Sequence, residues 1–470
     1  KNPEDDQGLF GVIGYYGRVS RLNVTASYIE GGDYVGILAG GSAGVIAGCS
    51  TSGIVVGDSI VGGFTGVNDG MITGSYAAGS VRGRIHVGVF LGANRIGAVI
   101  GNFSSAAGLD DSIPDEFVGA NWGGFVRSTF LDTAGGVGGY FASGKGTENE
   151  PYVISAKEHL KNLSMLVNMG VSFSGKYINL DRDITLNDTA NWRQWAAEPP
   201  AYVWMPIGLY INQFDGTFDG GGHIISGVYI DNPKATIISL FGAISKNAAI
   251  KNIGVTASYI RGYSVVGGLV GGSYGATISN SYATSVVTGH DAVGGLMGVS
   301  HGATIRNSYA TGAVTGRGSV GGLVGNNIEN STISNSYSTG TVKGNLSVGG
   351  LVGINRESII KFSYTISTVT GCGPRVGPLV GCICPGVENS SYFNIETSGV
   401  RDNHRGTGRT TEEMKQRETF TGWKFNRIWG MDSAINDGYP HLLGMPDNPA
   451  IRKLEAILED VGAETDDNEK

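Results

Sequence analysis

Apolar positions along this chain come in short alternating runs of about four to six residues, closed off by Gly or Asn. The stretch from Val266 to Gly289 reads VGGLVGGSYGATISNSYATSVVTG, and variants of it follow one another. Alternation with period two, β-branched residues and turn residues between the runs predict strands rather than helices. Aligned on Val-Gly, the pattern returns at Val266, Val293, Val320, Val348 and Val376, with spacings of 27, 27, 28 and 28. A more worn copy returns at Val35, Val61 and Val87, spaced by 26. One unit is too short to bury a core, whereas stacked units make one together. The expected fold is therefore all-β, a parallel β-solenoid (β-helix) of 26–28 residues per coil. At about 3.3 Å per residue the coil perimeter is bounded near about 90 Å, which suits a three-sided coil.

Stacking predicts columns of equivalent side chains. Tyr282, Tyr309, Tyr337, Tyr364 and Tyr392 share one phase, each preceded by serine. Asn252, Asn280, Asn307 and Asn335 share another. Amides in register can bond from coil to coil, and rings one strand apart can stack. The tyrosines then serve either as structural glue or as an aromatic strip for sugar rings.

Two stacked modules with small caps are expected. Residues 1–143 form a first solenoid module. Residues 144–235 form a lead-in and cap segment, 236–395 the better-preserved solenoid, 396–446 a C-terminal cap, and 447–470 a helix and acidic tail. Ser155 to Met169 reads as a helix, with Ser155 and Glu158 as a capping box and Leu160, Leu163, Leu166 and Val167 on one face. Thr410 and Glu413 suit a second capping box. Phe420, Trp423, Phe425 and Trp429 then make an aromatic plug over the last coil. Asp447-Asn448-Pro449 can start a final helix carrying Ile451, Leu454, Leu458 and Val461. The first module has no such lead-in before Leu9 and Phe10, so its first coil is expected to present an unpaired edge open to another copy.

Composition narrows the class. Of 470 residues, 79 are Gly and only 13 Pro, with no strict triplet period, which excludes collagen. Hydrophobic residues make up 40%, too many for a disordered chain. The net charge of −8 lacks the basic stripe that nucleic acid would require. Residues 34–57 and 263–289 are free of charge and long enough to span a bilayer, but their Gly, Ser and Thr content reads as strands and turns, so no membrane span is expected. The opening Lys-Asn-Pro-Glu-Asp-Asp is not a signal peptide.

Candidate chemistry is thin. Three G-x-S-x-G matches surround Ser42, Ser273 and Ser300, a slot held elsewhere by Asn68, Asn94, Asn327 and Asn355. It reads as a small polar turn position rather than a nucleophile elbow. Gly316 to Gly321 spells a dinucleotide fingerprint but leads into a strand. The histidines are scattered and no H-E-x-x-H exists, so no catalytic residue, metal or cofactor is expected. Asp215 and Asp219 bracket a Gly-rich turn and are either turn formers or ligands of a weak calcium site. Cys372, Cys382 and Cys384 cluster near the last coils, as a disulfide plus one thiol or as free thiols. Cys49 stands alone.

The repeat resembles the GLUG-motif family of bacterial surface and adhesin-like proteins. Its Gly-Leu-x-Gly core stands here as Gly268-Leu269-Val270-Gly271, Gly295-Leu296-Met297-Gly298, Gly322-Leu323-Val324-Gly325 and Gly350-Leu351-Val352-Gly353. GTENEPYVIS (146–155), KYINLDRDITL (176–186) and FDGTFDGGGHIISGVYI (214–230) are similar to its usual opening segment. SYFNIETSG (391–399), TTEEMKQRETFTGWKF (410–425) and GYPHLL (438–443) are similar to its usual close. The resemblance implies an extracellular location and a role as an accessory module in large surface proteins, immunoglobulin-cleaving peptidases among them. It implies no activity for the module itself.

The expected function is a non-enzymatic extracellular bacterial β-solenoid acting as a surface, adhesive or filament-building element, with self-association or a host or cell-surface glycan as partner. A carbohydrate-binding module using a Ser/Thr/Tyr face is the first alternative and a β-helix glycan-degrading enzyme the second.

Overall fold

Gly267 and Gly271 explain the shape of each repeat. A Cβ on Gly267 would lie 2.0 Å from the Val270 carbonyl oxygen. One on Gly298, the equivalent of Gly271, would lie 2.6 Å from the Val266 nitrogen of the preceding coil. The chain therefore doubles back at Val-Gly-Gly with backbone against backbone, and side chains are excluded there by contact rather than by choice.

The computed structural model describes residues 5–95, 97–100, 103–104, 107–108, 118–121, 125–127, 140–168, 171–210, 212–382, 384–401, 403 and 405–445. The expected helix and tail over 447–470 lie outside them. Two compact units are formed, 1–136 and 137–470. The division falls a few residues before the expected 143/144 boundary, because Phe141 stacks on Tyr152 and Ser143 bridges Val153.

Both units are parallel β-solenoids. In the first, described strands stack in parallel sheets with Val35, Val61 and Val87 in register. Ile46 and Ile72 fill one interior column, and Phe64 stacks on Phe90 at 4.7 Å in another. In the second unit, successive coils add one strand to each of five sheets, two of them nine strands long. One coil runs Val270–Tyr274, Thr277–Ser279, Tyr282–Ala283, Val286–Thr288 and Asp291–Gly294. Each such coil carries five short strands, because Gly, Asn or Ser breaks the run every few residues. The core is a set of columns: Leu269, Leu296, Leu323, Leu351 and Leu379 are fully buried, as are Ile250, Ile278, Ile305, Ile333 and Ile360.

The lead-in segment contributes coils as well as a cap. Tyr152–Ile154, Tyr177–Leu180 and Thr217–Asp219 are the first three strands of one nine-stranded sheet. Helix α1 (Lys157–Asn168) packs against the first of them with Leu160, Leu163, Leu166 and Val167 buried. It starts two residues later than expected, and Ser155 pairs with the His159 ring instead of forming a box with Glu158. Asn162, Ser164 and Asn168 pin it through the carbonyls of Tyr140, Met205 and Pro206. At the other end, α2 (Thr411–Met414) has its capping box: Thr410 Oγ1 accepts from Glu413 N–H while the Glu413 carboxylate accepts from Thr410 N–H.

Candidate functional site

The tyrosine column is continuous and covered. Ring centroids are 4.8 Å apart for Tyr282–Tyr309, 4.8 Å for Tyr309–Tyr337 and 5.1 Å for Tyr337–Tyr364, all near parallel. Its strand neighbours Ala283 and Ala310 point inward against Gly268 and Gly295, so the rings lie on the outer face. The chain from Met414 onward folds along that face. Met414, Phe420, Trp423, Trp429, Tyr439 and Leu442 bury the rings in one cluster. This corrects two expectations. The aromatic segment lies alongside the column rather than over the last coil, and the column cannot serve as a strip for sugars. Tyr392, the fifth rung, is held edge-on by Phe420 at 5.1 Å. Tyr364 Oη donates to the Pro440 carbonyl at 2.6 Å and accepts from Asn436 Nδ2 at 2.7 Å. Burial drives its pKa well above the ordinary value, against the Asn436 bond.

The serine before each tyrosine is a second ladder. Ser308, Ser336 and Ser363 each accept, at Oγ, the N–H of the serine one coil earlier, and donate to the carbonyl two residues back. Cys49 holds this slot in the first unit, where its N–H bonds Ser75 Oγ at 3.2 Å. The lone cysteine is thus a ladder member, its thiol pKa raised by burial.

The asparagines sit at left-handed turns, with φ of 54° at Asn252, 49° at Asn280 and 48° at Asn307 and Asn335. Asn tolerates that conformation, which accounts for the column. Their amides form a one-way chain: Asn307 donates to Asn280 at 3.1 Å, Asn280 to Asn252 at 3.1 Å, and Asn252 to Asp219 at 2.9 Å. The chain starts at Asn307, whose Oδ1 accepts from no donor, so Asn335 shares the turn but not the bond. Burial alone would raise the Asp219 pKa, but the Asn252 amide, the Gly221 N–H and Lys251 together hold it below the ordinary value. Asp215 is likewise occupied by Ser245 and Asn247, so both carboxylates serve turns and neighbouring coils.

The G-x-S-x-G slot is not a turn. Ser42, Asn68 and Asn94 are the last residues of their strands, Ser273, Ser300, Asn327 and Asn355 the next to last, and all seven are buried. Asn68 donates to Asn94 at 2.9 Å, and Asn327 to Asn355 at 2.8 Å. Asn355 in turn donates to Glu388 at 2.6 Å, and Arg405 closes the chain on the other Glu388 oxygen at 3.1 Å. Sequence reading missed this pair because nothing local distinguishes Glu388 or Arg405 from surface charges.

Beside the first rung lies an open groove of about 650 Å³. Asp219, Asn252 and Asn280 line it together with Tyr282, Leu443 and Met445. Burial, helped by Asp183, pushes the Tyr282 pKa up to about 12. The aliphatic wall comes from Leu443, the last residue of the GYPHLL motif, and Met445 just after it, whose only signal in the sequence was their apolar character. Elsewhere, Tyr210, Tyr274 and His301 form an outward row with centroid spacings of 6.2 and 5.9 Å.

Leu9 and Phe10 are 54% and 37% exposed in the first described coil. Cys382 and Cys384 are disulfide-bonded, while Cys372 is a free, exposed thiol, which settles the cluster as one bridge plus one thiol. Among the described residues, no group of His, Cys, Asp or Glu has the arrangement of a metal site, and no helix is long and apolar enough to cross a membrane.

The fold and its ladders define a parallel β-solenoid repeat protein. Residues 262–288, 289–315 and 316–343 each match the family model of the GLUG motif, so the chain carries three consecutive GLUG repeats. A candidate Gly-rich membrane protein of Evansella cellulosilytica is 33% identical over 138 residues, 29% of this chain and 15% of that protein. Halomucin of Haloquadratum walsbyi is 30% identical over 141 residues, 30% of this chain and 1% of that protein. The chain thus spans a small part of either relative. The crystal structure of a candidate immunoglobulin A1 protease from Bacteroides ovatus superposes with a TM-score of 0.51 at 22% identity, covering 65% of this chain and 95% of that one, a likeness of fold.

Proposed function

We propose that this chain is a non-enzymatic, extracellular element of a cell surface, a structural repeat element with adhesive capacity. The observation that carries the reading is the use of nearly every repeat position for stacking: Leu and Ile columns inside, serine and asparagine chains at the corners, tyrosines under the cap. Such a stack resists bending and spends its polar groups on itself rather than on chemistry. The names of the Gly-rich membrane protein and of halomucin support a surface location. Antibody raised against the chain should label intact cells of its source; labelling only after lysis overturns the location. Hydrolysis of a peptide or glycan by the purified chain that Ser300→Ala abolishes overturns the non-enzymatic reading.

The exposed Leu9, Phe10 and Val12 of the first described coil favour a second element, self-association through this apolar patch. Light scattering of the purified chain tests it: a monomer at every concentration counts against it.

A further inference from the structure

We infer that the groove beside Tyr282 binds an extended, uncharged, equatorially linked glycan chain lying parallel to the solenoid axis, an inference that rests on the surface reading above. One wall is a ruler of polar groups. Asn252 and Asn280 each stand one residue after the paired Lys251 and Ser279 of successive coils, so they recur at one strand spacing, about 4.8 Å, and Asp219, the register partner of Lys251, lies in the coil before them. That interval is close to the advance of one pyranose along a flat glycan chain, so each coil can address one sugar residue.

The ruler has bonding capacity left. A side-chain amide carries two N–H groups and two lone pairs. Along the chain Asn252 and Asn280 each spend one N–H downward and one lone pair upward. Both side chains are half-buried, with the remainder facing the groove. A spare donor and a spare acceptor per rung match sugar hydroxyls, which donate and accept at adjacent carbons. Their orientation is fixed beforehand by the ladder, so little ordering entropy is lost on binding.

The opposite wall is aliphatic. Leu443 is 45% exposed, and Met445 stands beside it. Together they offer a surface for the C–H face of a pyranose, while Asp219 and the amides take its rim. Charge selects further. Asp219 is already matched by Lys251 at 3.0 Å, so no cation on this wall is free to receive a uronate or a sulfate. The buried tyrosine column takes no part beyond closing one end of the groove with the Tyr282 edge.

Calorimetric titration of the whole chain with cellohexaose, chitohexaose and polygalacturonate tests the site. Saturable binding of a neutral hexaose and none of polygalacturonate is expected. Leu443→Glu and Asn280→Asp should each weaken it about tenfold, the loss of one good contact. Asn280→Asp keeps a residue suited to the left-handed turn, and Leu443→Glu alters an exposed wall, so a variant that fails to fold leaves the other to decide. The inference is overturned if neither neutral hexaose binds, if polygalacturonate binds as tightly, or if both variants bind unchanged. Hydroxyl-radical footprinting that finds Leu443 shielded in the free chain by its own later residues overturns it too. Labelling of intact cells reads the surface assignment separately, and that assignment stands whether or not a glycan binds.

Discussion

Asn355 donates through Nδ2 to Glu388 Oε1 at 2.6 Å, and this bond ends an amide chain inside the solenoid on a carboxylate. The chain at the outer corner ends the same way, Asn252 on Asp219 at 2.9 Å, but runs in the opposite direction along the stack. In each case the terminal acceptor is ionic and is matched by a cation, Arg405 for Glu388 and Lys251 for Asp219. A charge-assisted acceptor is the strongest end that such a chain can have.

Because Glu388 and Arg405 are 6% and 18% exposed, removing one partner strands the other. Arg405→Ala should cost about 3 kcal/mol in denaturant unfolding. Glu388→Gln in that background should recover part of the loss. Equal stability of the single and double variants would show that the pair carries no coupling.

Alkaline pH should loosen the cap. Tyr282 ionises near 10.0 when unfolded and near 12 in the folded chain, because burial disfavours its phenolate. The folded pKa is the higher one, so its contribution is complete below 10.0 and is lost as pH rises from there towards about 12. Tyr364 moves in the same direction. Tyrosinate absorbance should show these two rings titrating late, together with a fall in melting temperature. Full ionisation of every tyrosine by pH 10 without loss of structure would contradict the buried column.

Two neighbouring glycines should behave differently. Gly298→Ala drives a Cβ to 2.6 Å from the Val266 nitrogen, and backbone cannot yield; about 2 kcal/mol or more is expected. Gly272→Ala meets the Val265 Cγ1 at 3.3 Å, a side chain that can shift, so melting should hardly change. Similar losses in both would remove the close backbone approach as the reason for the motif.

Val265 has φ of 58°, a left-handed conformation unusual for a β-branched residue, and Ile60 and Ile237 do the same in their coils. Val265→Asn should therefore stabilise the chain by about 1 kcal/mol. A drop in melting temperature would mean that the Val265 contact over Gly272 outweighs the strain.

The coil length, the parallel stacking and the tyrosine and asparagine columns were legible because identical residues recur at one interval, and only stacking turns interval into contact. The G-x-S-x-G slot was misjudged as a turn since Ser and Asn favour turns in isolation; here strand pairing overrides that preference and buries Asn68 and Asn355. The path of residues 414–445 was opaque for another reason. Phe420, Trp423 and Trp429 are apolar enough to cover any surface, and nothing in their order states that the surface is the outer column rather than the last coil. The groove inherits that opacity, as its aliphatic wall belongs to the same segment.

The C-terminal cap also limits how the gene can change length. Successive GLUG coils offer one another the same register, so gain or loss of one whole repeat by unequal recombination leaves the stack intact upstream. The cap, however, is fitted to a fixed count of rungs, Trp423 between Tyr364 and Tyr392, Trp429 against Tyr337, Leu443 and Met445 beside Tyr282. A repeat inserted beneath it would leave one ring bare or throw its anchors out of step. Expansion and contraction over evolutionary time should therefore be confined to coils before Gly254, while the stretch from Tyr282 to Tyr392 keeps its number.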